Sequence, residues 1–196
     1  SARVYEDSTY FTIIKTSPGG KEVKRNVYDS LSNAVEVAAS NDSEYVALVR
    51  EVKPKDFYNA KYVLVALDRD LNIKKKTEVN DSLEFLPGQL FNLYQTKDNG
   101  FVVGIYEPNI LYRSWYYLFK FDSNLSEVWE HNFENYARGY PKDVSIAEDE
   151  HGNLNIACNY FYRGSMTDHR MDLYFMKIDR QGNVLTDKFI DHGERS

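Results

Sequence analysis

A single cysteine, Cys158, stands among 196 residues. One thiol forms no internal disulfide and builds no cysteine-based zinc site, and it leaves the redox compartment open. Set in LNIACNYF, it is expected to be a buried, inert small hydrophobe. Basic clusters are equally scarce. The chain carries 24 Lys and Arg against 30 Asp and Glu, a net charge of -6, and Lys74 to Lys76 is its one basic run. That balance lacks the electrostatic footprint of a nucleic-acid or anionic-lipid partner. No apolar stretch approaches the roughly 18 to 20 residues of a membrane span, and the charged opening SARVYEDS does not read as an export signal.

The marks of known chemistry are missing as well. DRDLNIKKKTEV begins like a calcium loop, with Asp68, Asp70 and Asn72 at its first, third and fifth places. Ile73 then stands where the sharp turn needs Gly, and Val79 where a bidentate Glu is needed, so a hairpin turn is the better reading. His131, His151, His169 and His192 have no short pairing that would make a local zinc site. Asp168, His169 and Asp172 read as one loop that could meet a cation or a ligand, although solvated loop polarity is the simpler account. No Gly-rich phosphate loop, Gly-x-Ser-x-Gly elbow or reactive Cys-His pair is present. Glu148, Asp149 and Glu150 adjoin, but glycosidase-type catalysis needs carboxylates placed across a cleft, which one chain does not reveal. The step from Asp122 to Trp129 is too long for the Asp-box turn of sialidase-like proteins. Neither a cofactor nor a metal is expected from the sequence.

What is abundant is tyrosine and phenylalanine, 16 and 11, against 2 Trp and 3 Met. Such a composition suits pleated, half-buried strands. The strands repeat. YVLVALDRDLNI, YYLFKFDSNLSEV and DLYFMKIDRQGNVL place Asp68, Asp122 and Asp179 in register, 54 and then 57 residues apart. Each Asp closes an alternating apolar run and opens a turn and a return strand. Upstream, NDSEYVALV, KDNGFVVGI and EHGNLNIAC align Tyr45, Phe101 and Leu154 behind polar turns, and AVEVAAS, FNLYQT and DVSIAE precede those turns. One unit is therefore four short antiparallel strands in about 55 residues.

A four-stranded unit at this period, without helical segments between copies, predicts all-β structure of β-propeller-type blades, because one twisted sheet cannot bury both faces alone and stacking covers them. A sandwich or barrel also has many short strands but gives no reason for one Asp-turn phrase at near-constant spacing. TKDNGFVVGIYE with YLFKFDSNLSEVWEHNF, and GNLNIACNYF with LYFMKIDRQGNVLTDKF, resemble the repeats of bacterial, often exported, β-propeller proteins. The resemblance runs from about Ala34 to Ile190 and weakens in the first copy, where DRDLNI lacks the Gly and Ala66 replaces Lys. It implies a scaffold and carries no catalytic residue across. It also implies the cell envelope or exterior as compartment, whereas the free cysteine suits the cytosol equally.

Residues 1–196 thus read as a single repeat domain: a half blade over 10–31, then blades over 32–83, 84–138 and 139–192, about three and a half in all. The half blade, YFTIIKTSPGGKEVKRNVY, is one hairpin around Pro18, Gly19 and Gly20. Closed propellers use at least four blades, so the ring is completed by further chain, by a second molecule, or locally. The copies differ most in KPKDFYNA, PNILYRS and RGSMTDHR, and repeat proteins carry function on such loops. Within YRSWYY, Tyr112, Arg113 and Trp115 are the candidate binding residues, since Arg and aromatics anchor interfaces. The expected role is a non-catalytic recognition or assembly module that binds a protein partner, a second copy or an extended ligand such as a glycan. The rival is a hydrolase or lyase acting on a saccharide or small molecule through carboxylates at a central channel.

Overall fold

The computed structural model describes residues 2–7, 10–28, 33–39, 44–53, 56–80, 91–108, 114–135, 139–165 and 168–190. All regular structure among them is β. The first sheet orders β1 (Ala2–Asp7), β2 (Tyr10–Thr16) and β3 (Glu22–Tyr28). The second runs β4 (Asn33–Ala39), β5 (Tyr45–Lys53), β6 (Asp56–Leu67), β7 (Ile73–Asn80). The third holds β8 (Phe91–Gln95), β9 (Phe101–Pro108), β10 (Ser114–Phe121) and β11 (Glu127–Asn135). The fourth holds β12 (Gly139–Glu148), β13 (Leu154–Ser165), β14 (Asp168–Ile178) and β15 (Val184–Ile190). Every sheet is an antiparallel meander in chain order, the architecture the repeat predicts.

Two differences from the sequence reading stand out. The hairpin read as a half blade gains β1, which pairs with β2 from Ala2↔Lys15 to Asp7↔Tyr10, so the first sheet has three strands. The segments KPKDFYNA and RGSMTDHR are largely strand: β5 ends at Lys53 and β6 starts at Asp56, while β13 ends at Ser165 and β14 starts at Asp168. Lys, Asp, Asn and Gly in these segments read as loop residues, yet the backbone there is extended and paired.

The turns explain why the repeat is so regular. Ser17–Lys21, Asp68–Asn72, Thr96–Gly100, Asp149–Asn153 and Asp179–Asn183 close with the same two backbone bonds, the first N–H to the fifth carbonyl and the fourth N–H to the first, at 2.9–3.1 Å. The fourth residue takes a positive φ in each: Gly20 (81°), Leu71 (63°), Asn99 (63°), Gly152 (79°) and Gly182 (88°), as does Leu125 (58°) after Asp122. This is the three-residue hairpin loop, a type I turn ending in a left-handed residue with a bulge. Where Asp opens the turn and Asn ends it, the two lock together. Asp179 Oδ1 accepts the N–H groups of Gln181 (2.9 Å) and Asn183 (2.8 Å), and Oδ2 accepts Asn183 Nδ2 (2.9 Å). Asp68 with Asn72 and Asp149 with Asn153 repeat the pattern.

Contacts gather the chain into two compact units, 1–87 with 123–126, and 88–122 with 127–196. In the first, Ile13 and Tyr28 of the first sheet pack on Tyr45, Ala47, Val49, Val63, Val65, Leu67 and Leu71 of the second. Tyr28 donates its hydroxyl to the Leu71 carbonyl, and burial pushes that phenol up to about 12. Asn26 Nδ2 reaches the same oxygen at 2.8 Å. In the second unit, Val102, Tyr106, Tyr116 and Leu118 of the third sheet meet Leu154, Ile156, Met176 and Ile178 of the fourth. Side chains of β8 fasten the backbone of the fourth sheet: Asn92 Nδ2 donates to the Val144 carbonyl (3.1 Å), and the Glu148 N–H donates to the Tyr94 hydroxyl (3.2 Å). Both units thus use one device, apolar faces stacked between sheets and polar side chains aimed at the backbone of the next sheet.

Candidate functional site

The turns at one end of the third and fourth sheets enclose a cleft of about 160 Å³, lined by Thr96, Lys97, Asp98, Lys120, Trp129, Glu148, Gly152, Leu154, Asp179 and Arg180. Its parts are spread from Thr96 to Arg180 in sequence and meet because the sheets stack. Lys120 is the central member. It points inward from β10, with its side chain only 9% exposed. A buried ammonium must be paired, and Nζ meets Thr96 Oγ1 and Asp98 Oδ1 (2.8 Å). Asp98 Oδ1 also accepts the Gly100 N–H at 3.0 Å. These hydrogen bonds and the ammonium charge outweigh partial desolvation, the largest single influence, and hold the Asp98 carboxyl at about 2.

The same lysine recurs one sheet on. Lys120 pairs across the sheet with Val102, Lys177 with Asn155 and Lys15 with Ala2, and each stands two residues before the first residue of a turn, Asp122, Asp179 or Ser17. Lys177 Nζ binds Asp149 Oδ2 (2.9 Å) in the turn between β12 and β13. In both four-stranded cases the lysine clamps the turn between the first two strands of its own sheet.

Two turn glycines seat the remaining large groups. Arg180 lies across Gly152, and a β-carbon there would overlap the guanidinium. Trp129 lies across Gly182, whose β-carbon would sit 3.0 Å from the indole. Trp129 Nε1 donates to the Arg180 carbonyl at 3.0 Å, so indole and turn hold each other. Lys97 donates its N–H to Glu148 Oε2 (2.5 Å) and its ammonium to the Asp149 carbonyl (2.8 Å).

None of the sequence-derived candidates Tyr112, Arg113 and Trp115 is among the residues that line the cleft. Tyr112 and Arg113 lie outside the described residues. Trp115 is on β10, where its backbone pairs with Glu107 and Glu134. The Glu148, Asp149, Glu150 group splits by role: Asp149 closes a turn and binds Lys177, and Glu148 faces the cleft. Cys158 is buried, and burial pushes its thiol up to about 12, a poor nucleophile. Burial likewise lowers the pKa of His131. Among the described residues no three His, Cys, Asp or Glu side chains cluster as metal ligands, and no helix is long and apolar enough to cross a membrane. The phrases YLFKFD and LYFMKID, which place Lys120 and Lys177 before Asp122 and Asp179, were legible as repeat motifs and not as a site; Trp129 and Arg180 carried no signal.

A pH dependence follows from these turns. The folded pKa of Asp98, near 2, lies below its ordinary value of 3.8, and Asp68, Asp149 and Asp179 are lowered too, chiefly by their hydrogen bonds. Between the two values the unfolded carboxyl binds a proton that the folded one does not, so stability is complete above about pH 4 and drains as pH falls towards 2. Urea midpoints measured down that range should decline, and less steeply in Asp98→Asn. A flat profile would refute the assignment.

No family model matches the chain, and no curated protein does. Solved structures do match in fold. A Bacteroides caccae protein of unknown function aligns over 96% of this chain and 77% of its own, with TM-score 0.50 and 11% identity. A chain from a crystal structure of the eukaryotic initiation factor aligns over 97% of this chain, with TM-score 0.51 and 11% identity; the match spans 43% of that longer chain. At such identity the likeness is one of fold. The chain is an all-β protein with a repeat fold of four-stranded antiparallel sheets.

Proposed function

We propose that this chain is a propeller-type, non-catalytic recognition and assembly module, of the kind found in exported bacterial proteins, whose first sheet is completed by a strand from a second copy or a protein partner. The observation that carries this reading is the first sheet itself. By register β1, β2 and β3 correspond to the second, third and fourth strands of the other sheets, so the first place is the one unfilled among the described residues. Lys15 supports it. At the position where Lys120 and Lys177 clamp the turn between the first two strands, Lys15 turns instead to the Arg69 carbonyl (3.1 Å) and lies 5.7 Å from the Tyr45 ring centre. An edge strand with unpaired backbone groups is a template for an added strand, and β-augmentation uses such edges. Apolar residues add to the case: Val23 and Val27 on β3 and Leu185 and Ile190 on β15 are about half exposed. The loops beyond the strand pairs, including the one carrying Tyr112 and Arg113, would then be held rigid for a partner, which lowers the ordering cost of binding.

Light scattering across a concentration series tests the second-copy version. A dimer is expected, with those amides of Ala2–Asp7 that point away from β2 protected from exchange at high concentration and released on dilution. A monomer at every concentration, with those amides unprotected, would remove self-completion.

A further inference from the structure

We infer that the cleft between the turns of the third and fourth sheets binds a neutral saccharide, one sugar ring at a time. The inference is independent of how the first sheet is completed, since every lining residue belongs to the unit of 88–122 with 127–196. Charge comes first. Lys97, Lys120 and Arg180 balance Asp98, Glu148 and Asp179, so the lining is formally neutral and gives an ionic ligand no net attraction. It is nonetheless rich in hydrogen-bonding groups. Among the described residues, the Arg180 guanidinium, Glu148 Oε1 and Asp98 Oδ2 keep capacity unspent, because Glu148 uses Oε2 for Lys97 and Asp98 uses Oδ1 for Lys120, Thr96 and Gly100. A ligand that both donates and accepts at several adjacent points, without charge, is a polyol.

The apolar component narrows it further. Trp129 lines the cleft, but its one N–H is given to the Arg180 carbonyl, so the indole offers a ligand only carbon surface. A ring with hydroxyls at its rim and C–H groups on its face matches indole carbon beside guanidinium and carboxylate. Size agrees. About 160 Å³ falls below the ~300 Å³ at which drug-sized sites begin, and suits a single ring or the end of a longer glycan. The site is also preorganised. Gly152 and Gly182 hold Arg180 and Trp129 in place, and Lys120 with Asp98 fixes the floor.

The test is a titration of the ¹⁵N-labelled full chain with glucose, galactose, mannose and N-acetylglucosamine, followed by amide shifts. At least one sugar is expected to give saturable, millimolar binding with shifts concentrated in Thr96–Gly100, Asp149–Asn153 and Asp179–Asn183. Arg180→Gln and Glu148→Gln should each weaken it about tenfold, the equivalent of one charge-assisted hydrogen bond, while the rest of the spectrum stays folded. Free amino acids serve as the rival neutral probe. Shifts with amino acids but no sugar, shifts away from these turns, unchanged affinity in Arg180→Gln, or no response to any sugar would each overturn the proposal.

Discussion

Gly100→Ala is expected to destabilise the protein by about 3 kcal/mol, although it adds one methyl group. Gly100 ends the turn between β8 and β9 and is buried. Its missing β-carbon is where the Phe121 carbonyl oxygen and Lys120 Nζ already sit, both well inside contact distance of a methyl. The lysine is a flexible end, but it is the buried ammonium held by Asp98 and Thr96, and moving it unpairs a charge. The carbonyl is backbone and shifts only with β10. Relief therefore costs either the ion pair or the β9–β10 register, in which Phe101 faces Phe121. Gly19 supplies the control. A β-carbon there meets nothing within 4 Å, and Gly19→Ala should stay within about 0.5 kcal/mol of the parent. Urea denaturation of the two variants decides it, and equal midpoints would mean that the close approach at Gly100 does not exist in solution.

The same glycine marks how far the sequence could be read. KDNGFVVGI announces a turn followed by a buried strand, and that much is local chemistry: a left-handed residue at Asn99, then Phe101, Val102, Val103 and Ile105, all buried. Asp68, Asp122 and Asp179 were legible as a repeat for the same reason, since a turn is specified by residues within five of one another. β1 was not. Its residues ARVYED carry a mixed polar pattern, and no turn signal of the repeated kind precedes them to mark a strand. Nor was the cleft. Trp129 and Arg180 meet across 51 residues, and Lys97 and Glu148 likewise, through the stacking of one sheet on another. The repeat predicts that sheets stack but says nothing of which side chain crosses the gap. The copies differ most around Tyr112, whereas the cleft draws on the repeated turns and on the strand residues Lys120, Trp129, Glu148 and Leu154.

That economy, in which turns both end strands and build contacts between sheets, makes one residue stand out: Leu71 → Ala is expected to cost about 3 kcal/mol and Leu71→Gly about 2, so glycine should be the milder replacement. Leu71 holds φ at 63°, a conformation that costs a side-chain-bearing residue about 1 kcal/mol, in the place that Gly152 and Gly182 fill in the fourth sheet. It is retained because the side chain is fully buried among Ile13, Tyr28, Tyr45 and Leu67, a burial whose loss to alanine is worth about 3 kcal/mol. Both substitutions lose that packing, but only glycine also releases the strain. Its carbonyl still accepts from Asn26 and Tyr28 in either variant, so the comparison isolates side chain from backbone. In most strands and helices alanine is the better tolerated of the two, and the inverted order is therefore diagnostic. Thermal or urea unfolding of both variants reads it directly. Alanine equal to or better than glycine would show that the left-handed turn is not strained. Two near-neutral variants would show that the first sheet does not pack on this turn, and with that the stacked arrangement of the first unit would fall.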